Sequence, residues 1–176
     1  GGFVTISAAA NAGERLAAAV IVDSPVRPPG QEMKRPERRG GRPHFVYRDA
    51  DQAMKRFKLA PPQYCENHFI VDYIGRLSLK EVENGVSWKF DPSLWSRFEG
   101  SDSTEALSRV RCPLALMRGA YSVLVTPEVD AYMASLPPET PPRVTVPLAR
   151  HHIMLDQPIA FVGALRGLLA GWPRSV

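Results

Sequence analysis

At 176 residues, 44% of them apolar and 23% charged, the chain has the make-up of a globular protein with a sizeable core, not of a disordered segment. Its apolar runs fall short of the roughly 18 residues of a membrane span, and its start carries no signal-peptide pattern. The net charge of +4 does not point to nucleic acid, because Arg27, Lys34, Arg35, Arg38, Arg39 and Arg42 gather among Pro and Gly with no helical period and no interleaved aromatics, as in a solvated loop.

In chain order, the small and apolar residues 3–12 predict a helix, and Gly13 suits its end. Residues 17–22 are continuously apolar, which predicts a buried parallel strand. Pro25, Pro28, Pro29 and Gly30 then stop regular structure. Residues 49–57 read as a short helix, its acids early and its bases late, in keeping with the helix dipole. A second helix over 67–79 places Phe69, Ile70, Tyr73, Ile74 and Leu77 at amphipathic spacing. Residues 87–90 alternate as a short strand or extended segment, and 92–98 read as a further helical turn or two.

From 102 to 110 a helix with Ser101 or Ser103 as cap is expected, then a buried strand at 114–117. Pro127 opens a helix to 136, residues 143–148 form the last strand and 158–172 the last helix. Strands alternating with helices imply right-handed crossovers and a parallel sheet, hence an α/β fold. Cys65 and Cys112 have neither metal nor redox spacing and read as incidental thiols of a reducing cytoplasm.

His151 lies on the loop between the last strand and the last helix, where a rigid scaffold can present a side chain. Asp156 and Pro158 follow it at a fixed spacing, with Ile153, Met154 and Leu155 between. In order before it come residues 1–10, the strand and exit loop 18–25, and the strand-to-loop stretch 117–128. Together these four segments resemble the C-terminal part of an α/β-hydrolase. Arg150 departs from the family pattern, which has a small residue before the histidine.

The resemblance implies a partial α/β-hydrolase fold: about three parallel strands (sixth to eighth), flanking helices and a mostly helical cap insertion. The expected division is 1–26 for the post-elbow helix and sixth strand, 27–100 for the cap, and 101–176 for the rest of the core. It places the nucleophile of the Gly-x-Ser-x-Gly elbow two residues before Gly1 and the oxyanion hole upstream as well, so the chain is expected to be a piece that is inactive alone. His151 is the expected base, with His152 as rival. The common acid position, after the seventh strand, falls on Ser122, which carries no charge. The alternative position, after the sixth strand, falls on Asp23, which is therefore the expected acid, with Ser122 kept as the alternative position. Asp-Ser-Pro at 23–25 is equally a turn signal.

Trp88, Phe90, Trp95 and Tyr121 are candidates for a substrate pocket, although cap aromatics also build the cap's own core. The implied reaction is cleavage of a carboxylic ester or related acyl bond in a small apolar substrate, with no metal, no cofactor, no nucleic acid and no membrane. Two alternatives stay open: an epoxide or haloalkane hydrolase with an Asp nucleophile, and a non-catalytic hydrolase-like binding protein.

Overall fold

The computed structural model describes residues 1–31, 45–93 and 103–172. In chain order the helices and strands are α1 (Gly2–Ala12), β1 (Ala19–Val22), α2 (Ala50–Met54), α3 (His68–Leu77), β2 (Leu79–Val82), β3 (Gly85–Trp88), α4 (Ser103–Ser108), β4 (Leu114–Gly119), α5 (Pro127–Ala134), β5 (Arg143–Val146), α6 (Ile153–Asp156) and α7 (Pro158–Gly171). They fall into two compact units, Gly1–Glu32 with Gly100–Val176, and Met33–Glu99.

The first unit is built on a parallel sheet of order β1-β4-β5, with Val22 beside Met117 and Gly119 beside Val146. Because strand side chains alternate between faces, each strand feeds two cores. Ala19 and Ile21 of β1 join Leu114 and Leu116 of β4 in one core, together with Ile6, Ala9 and Ala10 of α1, Leu107 of α4, and Val129 and Met133 of α5. Met117 and Val146 face the other way, where Val20, Val22, Phe161, Leu165 and Leu168 pack around them. The result is three layers, with α1, α4 and α5 on one face and α7 on the other. Fully burying a side chain such as Leu107, at 0% exposure, contributes roughly 1.5–3 kcal/mol.

Helix α5 starts where its chemistry requires: Pro127 needs no donor at the first position, and the Thr126 hydroxyl accepts the Val129 N–H. Ser101, one of the two cap candidates for α4, lies outside the described residues, as do 94–98 of the helical turn expected near 92–98. Gly13 does not cap α1 in the left-handed region. Its φ of −57° is right-handed, and the chain runs on into a 3-10 turn closed by the Leu16 N–H donating to the Gly13 carbonyl.

The second unit holds α2, α3 and a β-hairpin. Helix α2 opens with Asp49 as its cap: the Gln52 N–H donates to Asp49 at 2.8 Å, and the Gln52 side chain accepts the N–H of the preceding Arg48 at 2.8 Å. The hairpin β2-β3, which the expected extended segment at 87–90 only partly anticipated, turns through Glu83 and Asn84, with φ +67° at Asn84 and φ +147° at Gly85, where β3 begins. Trp88 is buried there, edge-on to Tyr47 at 6.2 Å and tilted on Phe57 at 5.7 Å between ring centroids. Helix α3 forms over most of the expected 67–79, and Phe69, Tyr73 and Leu77 of its amphipathic spacing are exposed. Its buried residue is Gly75, seated against Met54 of α2, because only the glycine side lets the two helices approach.

Candidate active site

Parallel strands bring all their carboxyl ends to one edge, and that edge is where open α/β sheets place their ligand-facing residues. Asp23 follows β1, Ser122 lies on the loop after β4, and His151 on the loop after β5. These three side chains converge. His151 Nδ1 stands 2.9 Å from Asp23 Oδ2, although 128 residues separate them in sequence.

Asp23 adopts φ +46°, a left-handed conformation that aspartate tolerates better than most residues. Its own N–H donates to the Met117 carbonyl at 2.7 Å, which locks the turn to β4. The Asp23 side chain is fully buried, where a bare carboxylate would be costly. Three donors offset that cost. The Gly119 N–H reaches Oδ1 at 2.9 Å, the Ser122 hydroxyl reaches Oδ2 at 2.6 Å, and the His151 ring reaches the same Oδ2.

The histidine loop is fastened on two sides. The Ala120 N–H donates to the Val146 carbonyl at 2.9 Å, and the Tyr121 N–H to the Ala149 carbonyl at 2.8 Å. From the other side Asp156 Oδ2 accepts the Arg150 N–H at 2.7 Å. Asp156 thus ends the short helix α6 and braces the loop. The Arg150 side chain is exposed, so the family's small residue is replaced without filling the interior; the buried small residue of the loop is Ala149.

A carboxylate only accepts hydrogen bonds, so the ring nitrogen facing Asp23 must carry the proton. For the neutral imidazole the tautomer is thereby set, with Nδ1–H pointing to Asp23 and the lone pair on Nε2. The His151 side chain retains 23% exposure. His152 lies edge-on to His151 with ring centroids 4.7 Å apart, and it is His151 that meets the carboxylate.

The remaining sequence candidates separate. Ser122, considered as an acid position, points its hydroxyl at Asp23, while His151 meets Asp23 directly. Tyr121 is exposed on the loop after β4, and Phe90 is exposed in the second unit. Trp88 belongs to the second unit's core, and Trp95 lies outside the described residues. Of the basic cluster, Arg27 donates to the Leu124 carbonyl at 3.0 Å, and the other members lie outside the described residues. Glu128 sits in the first turn of α5, where a hydrogen bond with the Thr126 side chain, ahead of other causes, holds its carboxyl below the ordinary range. The Gly119 N–H was not anticipated; a backbone donor has no side-chain signal to read.

No family model matches the sequence, and no curated protein matches it. Solved structures do. An esterase of Mycobacterium tuberculosis superposes with a TM-score of 0.69 at 21% identity, over 97% of this chain and 60% of its own. A thioesterase domain from the curacin biosynthetic pathway gives 0.65 at 18%, over 97% of this chain and 63% of its own. A peroxisomal α/β-hydrolase of Saccharomyces cerevisiae gives 0.64 at 14%, over 100% of this chain and 54% of its own. The chain therefore spans about 60% of the length of the structures it matches. Among the described residues no helix is long and apolar enough to cross a membrane. With its parallel strands, flanking helices and paired loops, the chain has the fold of an α/β-hydrolase, in part.

Proposed function

We propose that Asp23 and His151 are the acid and base of a serine hydrolase that cleaves carboxylic ester or related acyl bonds, its nucleophile supplied by a segment preceding Gly1 in a longer protein. One observation carries the reading: the 2.9 Å contact between His151 Nδ1 and the buried Asp23 carboxylate at the carboxyl edge of the sheet. In the reaction Nε2 takes the hydroxyl proton as the nucleophile attacks the acyl carbon, and later returns it to the leaving group. Asp23 keeps the ring in the reactive tautomer and balances the imidazolium charge. The esterase and thioesterase among the similar structures support an acyl substrate.

The test is a fluorophosphonate probe on the longer protein, with ester turnover measured beside it. Labelling is expected, with turnover falling by about three orders of magnitude or more in His151→Ala and Asp23→Asn. Turnover preserved in both variants would overturn the assignment. No labelling, with turnover of an epoxide or haloalkane in place of the ester, would favour an aspartate nucleophile, and neither labelling nor turnover of any of these a binding protein.

A further inference from the structure

The Ser122 hydroxyl has one proton and two lone pairs. Its oxygen accepts the Leu124 N–H at 3.2 Å and the Val125 N–H at 3.1 Å. Both acceptor sites are therefore engaged, and the proton has a single destination: Asp23 Oδ2, 2.6 Å away. Ser122 is itself buried. The oxygen it donates to is the same one that meets His151.

We infer that Ser122 is a positioning residue of the Asp23–His151 pair, whose hydroxyl, oriented by two backbone N–H groups, fixes the carboxylate and draws off part of its charge. The loop after β4 thus supplies no charge of its own and acts on the acid from behind. Loss of the donor leaves more negative charge on Oδ2, so the Nδ1–H···Oδ2 bond strengthens while the carboxylate loses one of its anchors. A serine serving only its own turn would leave that bond unchanged. The inference rests on the hydrolase reading for its catalytic meaning; the geometry it uses does not depend on that reading.

The test is proton NMR of the full protein, following the downfield His151 Nδ1 proton, assigned by its loss in His151→Gln. Ser122→Ala is expected to move this signal further downfield, Ser122→Thr to restore it, and Asp23→Asn to abolish it. In the active protein Ser122→Ala should lower kcat on the order of tenfold with KM unchanged, and Thr should recover most of it. If Ser122→Ala fails to fold, Ser122→Cys, of similar size but with a weak donor, is expected to shift the signal the same way. A signal unmoved in the folded Ala or Cys variant overturns the role of Ser122. A signal that survives Asp23→Asn overturns the Asp23–His151 pair itself.

Discussion

Asp156 accepts the backbone N–H of Arg150 at 2.7 Å and so closes a short ring of chain around His151. An imidazole on such a ring is aimed by its backbone, and the aim depends on the carboxylate that shuts it. Asp156→Ala removes this acceptor and is expected to cost about 1 kcal/mol of stability, with a larger fractional loss in turnover. Asp156→Asn keeps an acceptor oxygen and should retain most of both. Denaturant midpoints and kcat, measured on the two variants side by side, check this. Equal behaviour of Ala and Asn would mean that the bond does not hold the loop.

Gly119 ends β4 directly beneath the histidine loop. A β-carbon there would sit 2.4 Å from the carbonyl oxygens of both Ala149 and Arg150, backbone atoms that cannot rotate away. Gly119→Ala should therefore push the two loops apart, destabilise the protein by about 1–3 kcal/mol, and lengthen the Asp23–His151 contact. A crystal structure of the variant with both loops in place would contradict this.

Cys112 is half-buried, and that burial pushes its thiol above the ordinary value. Since the thiolate is the reactive form, a raised value means less thiolate at a given pH. Alkylation of Cys112 by iodoacetamide at pH 8 is expected to be slower than that of a free thiol, with the rate still climbing at pH 9 and above. A rate matching the free thiol across the range would exclude the effect.

Among the described residues β1 is paired on one side only, by β4, and its Val20 and Val22 are half-buried. No residue of α7 is fully buried, and Ile159 is 88% exposed. An unpaired strand edge beside uncovered apolar surface invites association. The 176-residue chain on its own is expected to melt without a sharp transition and to aggregate at micromolar concentration. A sharp, reversible calorimetric transition with agreeing calorimetric and van't Hoff enthalpies would show otherwise.

The sequence by itself determined the elements whose signals are local: the continuously apolar β1 and β4, the proline that opens α5, and the strand, loop and helix around His151. The hairpin was read only at its second strand, where alternation shows; its two-residue turn, Glu83-Asn84, closes where Val82 pairs with Gly85. The amphipathic spacing of α3 showed a helix but not its partner, since spacing gives a periodicity alone; the partner, Met54, is met at Gly75. Only the tertiary structure decided how Asp23 and Ser122 divide their parts. They stand 99 residues apart in sequence and 2.6 Å apart in space. Which one touches the imidazole depends on where parallel strands end relative to each other, and that register is fixed by packing across the sheet, beyond the reach of any local pattern.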